Sequence, residues 1–147
     1  MNSQQLFNIA GQVAVVTAAA RGLGRAYAEV LASNGAHVVL TDIDAAELDT
    51  TVAALRAAGG SVEGKVLDAG HREAVQATIE AVVQQHGRLD IAFANAGISA
   101  GPGFAFTPNG LLANIQPDTW DRVLAVNLSG VMATLQAAAR PMTAAGR

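Results

Sequence analysis

Two glycines, Gly22 and Gly24, follow a β-branched run and open a segment of helical period, and Asp42 ends the next β-branched run ~20 residues on. Those residue types at that spacing suit a phosphate-bearing ligand. Small residues let backbone approach a pyrophosphate, while a helix beginning there presents unpaired N–H groups and the positive end of its dipole. An ionised carboxylate at position 42 would accept the hydroxyl protons of an adenosine ribose and repel a 2′-phosphate, favouring NAD over NADP. Arg21, beside the turn, pulls the other way, because a guanidinium pairs with a 2′-phosphate. Asn127, an amide within an otherwise apolar helical stripe, costs stability unless bonded, and so reads as functional. His37 and His86 lack metal-ligand spacing and read as core or solvated histidines, and Trp120 reads as packing.

The elements that must carry these residues alternate. Val13 to Thr17 is a short apolar strand, and Leu23, Ala26, Tyr27, Val30 and Leu31 form the stripe of a helix stopped at Asn34-Gly35. Ala36 to Thr41 is a second strand, followed by a helix with Asp44 as N-cap, Leu48, Val52 and Leu55 on one face, and Gly59-Gly60 as its end. Ser61 to Leu67 is a third, less apolar strand, and His71 to His86 a third helix carrying Val75, Ile79, Val82 and Val83 before Gly87. Leu89 to Ala94 is the fourth strand. The Gly-, Pro- and Asn-rich stretch from Ile98 to Gln116 reads as a surface loop, and after Pro117 one long helix runs through Trp120, Val123, Leu124, Asn127, Leu128, Val131 and Leu135. Strands alternating with helices predict an α/β fold, a Rossmann-type doubly wound parallel sheet in one domain over residues 1–147. The pattern ends on a helix without a following strand, so the unit reads as truncated after its fifth helix.

Composition excludes several classes. No cysteine is present, so neither a disulfide framework nor a thiolate metal site can form. The net charge is −3 with scattered basic residues, which argues against nucleic acid as a partner. Residues 1–10 lack a signal-peptide pattern and no stretch reaches the ~18 apolar residues of a membrane span, so neither export nor a membrane partner is expected and a cytoplasmic location is.

Ile9-x-Gly11, the strand to Thr17, the Ala-Ala-Ala-Arg-Gly-Leu-Gly turn, Asp42, Asp68, Asn95-Ala-Gly97, Trp120 and Val126-Asn127-Leu-x-Gly130 occur in order along the chain. Together they resemble the short-chain dehydrogenase/reductase family. The resemblance implies a sheet of order 3-2-1-4-5-6-7, NAD(P) across the carboxyl ends of the strands, and hydride exchange between NAD(H) and a secondary alcohol or ketone. It also implies that Gly22, Leu23 and Gly24 border the pyrophosphate, Asp42 and Ile43 the adenosine ribose, Asp68 and Ala69 the adenine, and Asn95, Ala96 and Gly97 the ribose near the nicotinamide. Asn127 would order a water in the proton relay, and subunits would pair into a homo-oligomer through helices.

Thr17-Ala18 stands where the family usually has Thr-Gly, and Ala94 where it usually has the first of two asparagines. The family's serine and Tyr-x-x-x-Lys, in which tyrosine donates the proton and lysine lowers its pKa, have no counterpart here. The single tyrosine, Tyr27, and single lysine, Lys65, lie elsewhere. The chain alone is therefore expected to lack turnover and to associate through the exposed edge of its fourth strand. Competing readings are a nucleotide-binding module without turnover and, less well matched by the glycine turn, a Rossmann-like methyltransferase binding S-adenosylmethionine.

Overall fold

The computed structural model describes residues 8–101 and 106–146. Four strands, β1 (Val13–Thr17), β2 (His37–Asp42), β3 (Val62–Val66) and β4 (Ile91–Phe93), form one parallel sheet in the order β3-β2-β1-β4. Five α-helices alternate with and follow them: α1 (Gly22–Ser33), α2 (Ala45–Ala57), α3 (Arg72–His86), α4 (Pro117–Leu124) and α5 (Val131–Ala144).

Period-two alternation divides the core between the two faces of the sheet. Ala14, Val16, Val38 and Leu40 point to one side and pack with Leu31 of α1 and with Leu48, Val52 and Leu55 of α2. Val13, Val15 and Val39 point to the other and meet Ile79 and Val82 of α3 and Ala137 and Ala138 of α5. Both faces of β1 are covered and all five of its residues are buried, which explains a continuous apolar run instead of an alternating one. Chain order runs outward from β1 to β3 on one side and returns to β4 on the other. The direction reverses between β1 and β4, the place where an open α/β sheet leaves a crevice at its carboxyl ends.

Four sequence expectations change. In α1 the buried residues are Gly24, Ala28 and Leu31, whereas Leu23 and Val30 are exposed, so the inward stripe is rotated from the one that the larger apolar side chains suggested. Small residues win because the helix lies close against the sheet. The single long helix after Pro117 is in fact α4, a π-helical turn over Ala125–Gly130, and α5. Trp120 is half-exposed, so it is not core packing. The expected loop from Ile98 to Gln116 contains two short 3₁₀ turns, Pro108–Gly110 and Leu112–Asn114, and part of it, 102–105, lies outside the described residues. The other stops match: Gly35, Gly59 and Gly87 have positive φ after α1, α2 and α3, and Asp44 caps α2 by accepting the Glu47 N–H.

One buried contact fastens α2 to the β1–α1 turn. Thr51 is fully buried, and its hydroxyl donates to the Ala20 carbonyl at 2.6 Å. Thr51→Val keeps the shape and orphans that carbonyl, so it should cost about 1–3 kcal/mol, read by urea denaturation.

Candidate functional site

The turn between β1 and α1 is built from backbone whose polar groups are met by side chains of other elements. Ala20 N–H donates to Asp42 Oδ2 at 3.0 Å, and Asp42 Oδ1 accepts the Asp44 N–H at 3.1 Å. Asn95 donates from Nδ2 to the carbonyls of Thr17 and Ala18, at 3.0 and 3.2 Å. Thr17, buried at the end of β1, donates its hydroxyl to the Phe93 carbonyl and accepts the Ala96 N–H. A Cβ on Gly24 would fall on the Ala18 carbonyl oxygen and within 2.7 Å of Asn95 Nδ2, so this glycine lets α1 start against the strand ends. Gly22 has φ +58° with open space where its side chain would be, so its requirement is backbone conformation and unobstructed approach.

The start of α1 is open to an anion. No side chain caps it and its first turn holds no acidic residue, in contrast to α2 with Asp44 and Glu47. Across the crevice, Asp68 accepts the Arg122 guanidinium of α4 on both oxygens, at 2.9 and 3.0 Å, and the Gly70 N–H at 2.9 Å. Burial works against the charged form of Asp68, but Arg122, Gly70 and nearby His71 outweigh it and hold the carboxyl below the ordinary aspartate range. Arg21, mostly exposed, pairs with Asp44 at 3.2 Å, a surface contact that a stronger anionic partner can displace.

These groups border one cleft of about 320 Å³. Arg21, Leu23, Gly24, Asp42, Ile43, Asp68, Ala69, Asn95, Ala96 and Gly97 line it, so the structure brings together nearly all the residues that the sequence singled out. Ala18, Leu67, Ile98, Arg122 and Val126 complete the wall. Gly22 sits in the adjoining turn outside the lining. Asn127 also stands outside it and clasps the backbone of Ile98: its Oδ1 accepts the Ile98 N–H and its Nδ2 donates to the Ile98 carbonyl, each at 2.8 Å.

The model of the short chain dehydrogenase family matches residues 12–147. The chain belongs to the short-chain dehydrogenase family. It is 36% identical over 126 residues to the 3-oxoacyl-acyl-carrier-protein reductase of Thermotoga maritima, covering 86% of this chain and 48% of that protein. Among solved structures, a metagenomic short-chain oxidoreductase in complex with NADP matches with a TM-score of 0.83 at 41% identity, over 94% of this chain and 59% of that one. A short-chain dehydrogenase/reductase from Burkholderia phymatum in complex with NAD matches with a TM-score of 0.86 at 37% identity, over 96% and 47% respectively. The chain spans about half the length of several of the curated relatives it matches.

Against the family pattern, the lone tyrosine and lysine are placed away from the cleft: Tyr27 packs its ring 5.0 Å from that of Phe93, and Lys65 lies beside Gln85 and Glu63. Sequence reasoning missed Arg122, which is 54 residues from its partner and carried no motif. It also missed the structural use of Thr17, although a buried threonine ending a strand before a turn is a recognisable signal. Ala18, noted only as a departure from the family, has φ +53° and is the one non-glycine residue with positive φ among those described.

That conformation costs a non-glycine residue roughly 1–2 kcal/mol, while glycine adds unfolded-state freedom worth roughly 0.4–1 kcal/mol. Ala18→Gly should therefore raise stability by about 0.5–1 kcal/mol. Gly24→Ala should lower it by about 1–3 kcal/mol through overpacking; parallel urea melts of the two variants give both signs.

Proposed function

We propose that this cleft holds NAD(H), and that the whole protein uses it to exchange a hydride with the carbonyl or secondary alcohol of a small molecule. The observation that carries the reading is Asp42, a carboxylate buried beside the glycine turn and lining the cleft. Each of its oxygens already accepts one backbone N–H, which leaves a lone pair on each for the hydroxyls of an adenosine ribose. A 2′-phosphate at the same place would meet that negative charge. The uncapped α1 terminus, the open space at Gly22 and the tight fit at Gly24 suit a pyrophosphate.

Gly22, Leu23 and Gly24 would hold the diphosphate, Asp42 and Ile43 the adenosine ribose, Asp68 and Ala69 the adenine, and Asn95, Ala96 and Gly97 the second ribose. The bound nicotinamide supplies or accepts the hydride. Asn95 fixes the turn and the segment after β4 to each other, so the two ends of an extended ligand would be held in one frame. Asn127, with both amide groups on Ile98, keeps one N–H and one acceptor lone pair, enough to hold a water beside the site; it is a positioning residue. Among the described residues lining the cleft there is no tyrosine, serine or lysine to donate the proton. That donor would belong to the remainder of the whole protein, for which a cytoplasmic homo-oligomer is the proposed setting.

Steady-state kinetics of the whole protein with both cofactors tests the reading. A preference for NAD(H) is expected. Asp42→Asn, which keeps an accepting oxygen and removes the charge, should reduce discrimination against NADP(H) by the ~1–3 kcal/mol of a lost charged hydrogen-bonding partner. A wild-type preference for NADP(H) would mean that Arg21 governs selection. Tight binding of NAD(H) without turnover of any carbonyl or alcohol would support a nucleotide-binding module instead.

A further inference from the structure

At the opposite end of the sheet, three side chains from three elements converge. His37 is the first residue of β2 and Asp42 the last, so this cluster is roughly 17 Å along the strand from the cleft. Glu63 of β3 is paired with Val39, which shares a face of β2 with His37, and His86 is the last residue of α3, the helix covering that face. The two imidazole rings lie 4.4 Å apart. His86 Nε2 is 3.1 Å from Glu63 Oε1, and the ligating atoms of His37, Glu63 and His86 all fall within 4.8 Å of one another.

The hydrogen bonding leaves one atom unaccounted for. His37 Nδ1 is 2.7 Å from Ser61 Oγ, while its Nε2 is buried and has no hydrogen-bond partner among the described residues. With Nδ1–H donating to Ser61, Nε2 carries a buried lone pair, and an unsatisfied buried polar atom costs free energy. A metal-ligating histidine has this same arrangement, one nitrogen free for the ion and the other N–H fixed by an oxygen. Glu63 is oriented in the same way, because Gln85 Nε2 donates to Oε2 at 2.8 Å and leaves Oε1 toward His86.

From this juxtaposition of a partnerless His37 Nε2, His86 Nε2 and Glu63 Oε1, we infer that the protein has a binding site for a divalent transition-metal ion of the zinc class. Two imidazoles and a carboxylate are a borderline donor set that suits Zn²⁺ and its Co²⁺ substitute, with a fourth position left to water. Ligands of a tetrahedral ion at ~2.0–2.1 Å sit about 3.3 Å apart. The Glu63–His86 separation is already of that size, and no gap in the cluster exceeds 4.8 Å, so closing on an ion needs at most about 1.5 Å of side-chain movement. Lys65 Nζ, 3.7 Å from Glu63 Oε1, competes for the carboxylate and must give way, so affinity is lower than for an anionic cage. Binding would displace the His86 N–H proton now shared with Glu63 and tie β2, β3 and α3 together.

The test uses the whole protein, freed of any affinity tag and of metal, titrated with CoCl₂ and then ZnCl₂. One Co²⁺ per chain with enhanced visible absorption, abolished by Zn²⁺, is expected. In histidine-detected NMR, Zn²⁺ should shift His37 and His86 while leaving the exposed His71 unmoved, a readout that needs no variant. Glu63→Gln and His37→Asn should each weaken binding by tenfold or more, and Ser61→Ala, which removes only the orienting oxygen, by roughly 10- to 100-fold. No saturable binding, binding that leaves the His37 and His86 resonances unmoved, or full affinity in folded Glu63→Gln would each overturn the inference.

Discussion

The β1–α1 turn leaves the first N–H groups of a helix without a side-chain cap while its own buried backbone groups stay satisfied, and the surrounding elements are arranged around that constraint. Backbone meets only part of it, the Ala19 N–H donating to the Thr41 carbonyl of β2 at 2.9 Å. Side chains meet the rest. Asp42 from the end of β2 accepts the Ala20 N–H, Thr51 from α2 donates to the Ala20 carbonyl, and Asn95 after β4 donates to the carbonyls of Thr17 and Ala18. Each of those backbone groups left unpaired would cost about 1–3 kcal/mol. The sheet order follows from the same need, because β2 and β4 must flank β1 for their carboxyl-end residues to reach one turn.

Asp42 and Asn95 therefore cannot be sorted into folding residues and binding residues. The carboxylate that would meet a ribose is the one that fixes the turn which would meet the diphosphate, so the two halves of the cleft share a reference point. Ala18 shows the tolerance of the device. It keeps a left-handed backbone conformation without being glycine, held by hydrogen bonds to its neighbours and by the close approach of Gly24 to its carbonyl. Strain of that kind persists where the surroundings over-determine the geometry.

Much of this was legible from residues alone. β1 and β2 are continuous apolar runs because both faces are covered, and the helix stops fall where glycines adopt positive φ. Nearly every proposed cleft residue was identifiable because each lies within a few positions of a strand's carboxyl end, where topology forces convergence. What failed to show depends on distance or on small side chains. Burial in α1 follows Gly24, Ala28 and Leu31, since close packing selects small residues, and pattern reading weights large ones. Arg122 and the cluster of His37, Glu63 and His86 join residues from separate elements, and no local spacing encodes such meetings.

The π-helical turn between α4 and α5 was the least visible feature and has a specific consequence. An uninterrupted α-helix through Asn127 would satisfy its backbone but carry residues 125–130 in a fixed 3.6-residue register. Widening that stretch lets Gly130 lie against the Ala69 carbonyl, where a Cβ would not fit, while Asn127 three positions earlier engages both backbone groups of Ile98. One segment thereby touches the chain after β3 and the chain after β4. Since π-helical turns are rare and concentrate at functional positions, the cost of the weaker helix geometry is offset by this double contact.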